Sequence, residues 1–190
     1  MPSACVRIRT NSRCTTISRD KNPLADHHSE GSVLQIGVSQ GGVPKFAVPR
    51  ARVTEEGLEG DGHAHPEFHG GPRQALLFIA AEGIEELKQL GFPLFPGALG
   101  ENITTTGLEH RTWRIGQRWQ VGSEVVVEFT KVRVPCKTLN RYGAGTIQKA
   151  VYDDLVKAGD PSSPHWGLSG CYARILQGGV IQAGDKIVPA

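Results

Sequence analysis

In this 190-residue chain the residues best suited to chemistry are a cysteine among cations and three polar segments bracketed by glycines. Val132-Arg133-Val134-Pro135-Cys136-Lys137 places a thiol just past the end of an apolar run, with Arg133 and Arg141 close in sequence. Positive neighbours favour the thiolate, the form that binds metals and performs sulfur chemistry. The competing reading of Cys136 is an inert core cysteine, because free cysteine buries readily. Gly60-Asp61-Gly62-His63-Ala64-His65 runs on to His69-Gly70-Gly71-Pro72-Arg73. Paired glycines let backbone N–H groups converge on an anion, and Arg73 could add a bidentate charge suited to phosphate. His63, His65 and His69 could instead gather one zinc ion, and solvated histidines on a polar turn are a third reading. In the segment 96–104, Glu101 and Asn102 sit between a glycine turn and a strand, able to fix a polar ligand or simply cap the loop. Gly170-Cys171-Tyr172-Ala173-Arg174 reads as a strand entered from a glycine turn; Cys171 is structural, and Arg174 can face a site or water.

The elements that must position these groups are short. Order is expected to begin near Val33, with VLQIGV turned by Gly41 and Gly42 into a hairpin with Lys45 to Val48. Gln74 to Ala80 is too continuously apolar for a half-exposed strand and is placed in the interior. Ile84, Leu87 and Leu90 recur at intervals of three, which predicts a short amphipathic helix over 81–90 closed by Gly91 and Pro93. Strands follow at 103–106, 117–121 and 125–134, the last stopped by Pro135. A second helix is expected over 147–157, capped by Thr146 and ended by Gly159. A final hairpin turns 180–181 into 186–188 through Ala183-Gly184-Asp185. Strands this short, closed by glycine turns, predict a mostly β fold with two or more short helices, in a barrel-like or strongly curved sheet.

Composition bounds the rest. The 24 glycines and 12 prolines against 38% hydrophobic residues disfavour a helical bundle, and the length suits one domain. A formal charge of +2 gives no positive support for nucleic acid or membrane partners. Cys5, Cys14, Cys136 and Cys171 form no CxxC pair, so a reducing, cytoplasmic setting is the default, and no run of about 18 apolar residues is present. Arg7, Arg9, Arg13 and Arg19 precede any acid, a bias shared with transit peptides. The stretch lacks an apolar face, so residues 1–32 are read as a disordered or loosely attached tail and 33–190 as the domain.

Taken in order, GDGHAHPEFHGGPRQALL, PGALGENITTTGL, IGQRWQVGSEVVVEFTKVRVPCKTL and GCYARILQGGVIQAGDKI resemble the successive motifs of the MOSC family, named for the C-terminal domain of molybdenum cofactor sulfurases. The resemblance covers nearly everything from Val33 to Ile187. It implies a β-barrel-like fold, a molybdopterin-type cofactor, and a cysteine at Cys136 that ligates molybdenum or carries a persulfide. His69, Gly70, Gly71 and Arg73 match the family's HGG-and-Arg segment, Glu101 and Asn102 its GEN segment, and Cys136 its PC segment. Arg73, Lys137 and Arg174 are then expected as anion contacts for the cofactor. Three functions follow as expectations: a reductase of N-hydroxylated small molecules fed by an external electron donor, a sulfur carrier served by a sulfur-donor protein, and a noncatalytic cofactor-delivery module. Neither a pyridoxal phosphate domain nor the extra N-terminal β domain of the amidoxime-reducing relatives is expected here.

Overall fold

The computed structural model describes residues 30–62 and 70–190. Seven strands close on themselves in the order β11-β7-β8-β9-β5-β6-β1, with β1 pairing back to β11. Their ranges are β1 Gly31–Val38, β5 Leu76–Ala80, β6 Ile103–Thr106, β7 Arg118–Val121, β8 Val125–Val132, β9 Cys171–Gln177 and β11 Lys186–Pro189. β2 (Phe46–Val48) extends β1 as the expected hairpin, with Ile36 opposite Val48. β3 (Arg50–Thr54), β4 (Gly57–Leu58) and β10 (Gly179–Gln182) form a separate three-stranded sheet. Every neighbouring pair in the barrel is antiparallel except β5 with β6, whose connection runs through the helix α1 (Ala81–Gln89).

Strand β5 explains the division of the interior. All five of its residues are buried. Leu76, Phe78 and Ala80 point into the barrel beside Trp113, Phe129 and Ile103, whereas Ile79 joins a second core outside it. That outer core packs Ile84 and Leu87 of α1 against Leu139, Ile147 and Val151. A strand covered on both faces needs apolar residues at every position, which is why the alternation expected of a half-exposed strand is missing. Each such side chain removed from water contributes about 1.5–3 kcal/mol.

The structure departs from several local expectations. β1 already takes in Gly31 and Ser32, which pair with Ile187 and Lys186. The segment 147–157 is two helices, α2 (Ile147–Val151) and α3 (Asp154–Ala158). Tyr152 is extended and the Asp153 carboxylate caps α3 by accepting from the Val156 N–H, an aspartate competing with the helix ladder. Gly159 ends α3 in the left-handed conformation, as expected, but Thr146 makes no capping bond. Leu90 lies outside α1 and is exposed, so the apolar face of that helix is Ile84 and Leu87 alone. The final hairpin is also replaced: β10 pairs with β3 while β11 crosses to β7 and β1. The 183–185 turn therefore joins two different sheets. Residues 1–29, with most of the supposed tail, and 63–69, with the candidate zinc histidines, lie outside the described residues.

Candidate functional site

On the outer face of the barrel a cleft of about 770 Å3, including its open mouth, brings together Cys136, Arg133, Asn102, Lys45, Gly70 and Tyr172. The fold explains how residues so far apart in sequence meet. Alternation along β5 and β9 turns Leu77 and Tyr172 outward into the cleft while Leu76, Phe78, Cys171 and Ala173 stay inside the barrel. Beyond the end of β8, Arg133 is held by its own backbone: its N–H donates to Gly170 and its carbonyl accepts from the Ser169 hydroxyl. Pro135 then breaks the ladder, and Cys136 caps the 3-10 helix Lys137–Tyr142.

Cys136 is half-buried, with its Sγ 2.8 Å from the Thr138 hydroxyl and 3.9 Å from Nη2 of Arg133. Burial pushes its thiol pKa up, yet the Thr138 hydroxyl and the Arg133 guanidinium more than offset this, leaving it below the ordinary value. Arg133 is only 3% exposed, and its Nε and Nη1 are buried without a hydrogen-bond partner. A buried cation whose donors are largely unsatisfied is costly unless an anion compensates it. The inert-core reading fits Cys171 instead, whose fully buried thiol is pushed up to about 12.

The opposite wall is a buried polar network. Asp61 pairs with Lys45 and accepts from the Ser39 N–H at 2.9 Å and the Asn102 side chain at 2.8 Å. Asn102 also accepts from the Leu77 N–H at 3.1 Å, splicing β5 to the start of β6. Burial holds the Lys45 amine below its ordinary pKa against the opposing pull of Asp61. Glu101 faces away from the cleft: one carboxylate oxygen accepts from the Gly97 N–H and the Thr104 hydroxyl, and the other has no partner. Gly97, at φ +93°, must be glycine, because a Cβ there would lie 2.1 Å from the Lys45 carbonyl oxygen.

Burial raises the pKa of Glu101, opposed by Gly97, Thr104 and Arg133. The stability its neutral form contributes is fully present below the unfolded value and is lost as pH rises through the elevated folded value. Glu101→Gln removes that dependence. Its melting temperature relative to the parent therefore rises as pH is raised from about 4 to 7, starting near the unfolded carboxyl pKa. A difference that stays constant across that range in thermal melts would overturn the assignment.

Of the residues expected from sequence, Cys136, Asn102 and Gly70 line the cleft. Glu101 sits behind it, and Gly71, Arg73 and Lys137 are exposed and outside its lining. His69 lies outside the described residues. Arg174 is not part of the cleft: its guanidinium is held by Glu128, which Arg118 also grips. Lys137 is not among the groups that lower the Cys136 pKa; Thr138 and Arg133 do that. Lys45, Asp61, Gln74 and Tyr172 were not singled out as site residues from sequence. Asp61 carried one legible signal, its place between Gly60 and Gly62.

The MOSC domain family profile matches residues 65–188. The chain belongs to the MOSC domain family. It is 31% identical over 160 residues to the uncharacterized protein YflK of Bacillus subtilis, covering 83% of this chain and 65% of YflK. It is 35% identical over 96 residues to protein YiiM of Escherichia coli, covering 46% of this chain and 41% of YiiM. In both cases the MOSC chain described here spans less than two thirds of its relative. The crystal structure of YiiM from Geobacillus stearothermophilus superposes with a TM-score of 0.63 at 24% identity, over 84% of this chain and 75% of that one. The YUAD protein of Bacillus subtilis gives 0.61 at 16% identity, over 83% and 94%. These likenesses establish the fold. No helix among the described residues is long and apolar enough to cross a membrane.

Proposed function

We propose that this MOSC protein binds a molybdopterin-type molybdenum cofactor through Cys136 and reduces N-hydroxylated small molecules with electrons from an external donor. The observation that carries the reading is Arg133: a buried guanidinium whose Nε and Nη1 have no partner, beside a thiol held below its ordinary pKa. A thiolate is a soft donor suited to a metal already bound by sulfur, and a cation beneath it suits an anionic group. The residues present fit the cofactor. When bound, it supplies two-electron removal of oxygen from an N–O bond.

The chain's own residues prepare that chemistry. Thr138 and Arg133 lower the Cys136 pKa and orient its sulfur, while the Asp61–Asn102–Lys45 network fixes the facing wall. Gly70, at φ +95°, lines the cleft, which suits backbone contact with a phosphate, and Gly71 and Arg73 follow it in the chain. Leu77 and Leu99 make part of the lining apolar and limit water.

Expression in a cofactor-producing host followed by elemental analysis tests the reading. The expected result is stoichiometric molybdenum and reductase turnover in the parent chain. Cys136→Ser should lose both by at least about ten-fold with an unchanged fold, since a hydroxyl is a harder and less acidic donor. Molybdenum retained in full by the serine variant, or cyanide-releasable sulfur on Cys136 without bound molybdenum, would replace this reading with another.

A further inference from the structure

Two polar side chains converge on the sulfur in the cleft. Cys136 Sγ lies 2.8 Å from the Thr138 hydroxyl and 3.9 Å from Nη2 of Arg133, and all three residues line the opening. Arg133 is buried, its Nε and Nη1 have no partner, and among the described residues it forms no ion pair with a carboxylate. Such a cation suits charge that moves: a sulfur nucleophile passes its negative charge to the atom it displaces, and a fixed positive group beside it stabilises that transfer. The Thr138 hydroxyl has one donor and two acceptor lone pairs, so it can face the sulfur and still accept from the O–H of a guest. Val43, Leu77 and Leu99 add apolar lining to the same cleft. Cys171, the other free cysteine of the described residues, is buried in the barrel core and does not line it.

We propose that the cofactor-free chain is a thiol peroxidase in which Cys136 reduces organic hydroperoxides, with Thr138 placing the peroxide and Arg133 stabilising the departing oxygen. The activity does not rest on the reductase reading, although both use one sulfur, so bound cofactor and hydroperoxide exclude each other. The Cys136 thiolate attacks the terminal oxygen of the hydroperoxide. An S–O bond forms, the O–O bond breaks, and the alkoxide leaves and takes a proton from solvent. Sulfur loses two electrons and the peroxide gains them, which yields the alcohol and a sulfenic acid on Cys136. A small thiol then condenses with the sulfenic acid, releasing water and forming a mixed disulfide, and a second thiol attacks that disulfide and returns the Cys136 thiol. The reductant is a small thiol such as glutathione, because Cys171 lies inside the barrel and cannot resolve the sulfenic acid. Thr138 and Arg133 hold the Cys136 thiol below its ordinary pKa, which raises the population able to attack at neutral pH. The apolar lining favours an alkyl or aryl hydroperoxide over hydrogen peroxide.

The test uses the 190-residue chain from a host that makes no molybdopterin, with cumene hydroperoxide as the probe and glutathione as the reductant. Without glutathione, trapping by dimedone and peptide-resolved mass spectrometry should find the sulfenic acid on Cys136 and none on Cys171. With excess glutathione, alcohol should form over many turnovers. Thr138 is exposed, so its substitution probes the site without disturbing the core. Thr138→Val should lower the hydroperoxide rate at Cys136 about ten-fold or more relative to the iodoacetamide rate at the same cysteine. Iodoacetamide needs only the thiolate, so this ratio separates placement of the peroxide from a shifted pKa. Thr138→Ser, which keeps the hydroxyl, should restore the ratio, and hydrogen peroxide should react more slowly than cumene hydroperoxide. The proposal is overturned by the absence of a dimedone adduct on Cys136, by a ratio that Thr138→Val leaves unchanged, or by alcohol formation that stops after one turnover in glutathione. A faster reaction with hydrogen peroxide overturns the organic substrate class.

Discussion

At pH 7, iodoacetamide alkylates Cys136 of the cofactor-free chain at least about a thousand-fold faster than Cys171. The factor follows from thiolate populations. Cys171 is fully buried and pushed up to about 12, so roughly one molecule in a hundred thousand carries its thiolate at neutral pH. An ordinary thiol carries about one in a hundred, and Cys136 lies below the ordinary value because Thr138 and Arg133 outweigh its partial burial. Its rate should rise with pH and level off earlier than that of a free cysteine. Arg133→Met should move that inflection upward and slow the reaction at pH 7. Peptide-resolved mass spectrometry separates the two sites from Cys5 and Cys14. Comparable rates for Cys136 and Cys171 would return Cys136 to the core and remove the basis of the cofactor site.

The largest stability effect is expected from Asp61→Ala, a loss of about 3–5 kcal/mol, the usual cost of leaving a buried charge without its partner. Lys45 and Asp61 have side chains 7% and 4% exposed. Removing the carboxylate strands the Lys45 amine and also the Ser39 N–H and the Asn102 amide that it accepts from. The shift in melting temperature should be on the order of 10 °C for a domain of this size. Lys45→Met added to Asp61→Ala should recover part of the loss, because no uncompensated charge then remains inside. A single-variant loss below about 1 kcal/mol, the value of an exposed pair, would show that water reaches the network.

Much of the barrel was legible because its strands carry local signals. Gln74 to Ala80 announced burial on two faces through its unbroken apolar run, and Gly91 and Gly159 stand where their helices end. What the sequence concealed was pairing between distant segments. Nothing local to Gly179–Gln182 says that it will join β3 and leave the neighbouring β11 to another sheet. The same limit governs the site. Cys136 stood out through its own neighbours, but the groups that act on it were ranked by nearness in sequence, which favoured Lys137 over Arg133. Lys137, next in the chain, makes no contribution to the thiol's pKa, whereas Arg133, three positions back, brings Nη2 to 3.9 Å from the sulfur. Arg174 lies outside the cleft lining for a related reason: its partner, Glu128, sits directly opposite it on β8, a register no single-strand pattern reveals. Lys45 gave no cue at all, since a lysine is rarely buried and its partner is sixteen residues away.

The seam of the barrel carries a mechanical consequence. β1 meets β11 through only two residue pairs, Gly31 with Ile187 and Ser32 with Lys186, and the strands run antiparallel. The entering and leaving ends of the domain therefore sit side by side at one end of that seam. Tension applied between Glu30 and Ala190 loads the two pairs one after the other, as a zipper, and not together in shear. The barrel should accordingly open at its seam under low force, shedding β1 from β11 before the longer β8–β9 ladder on its far side bears any load.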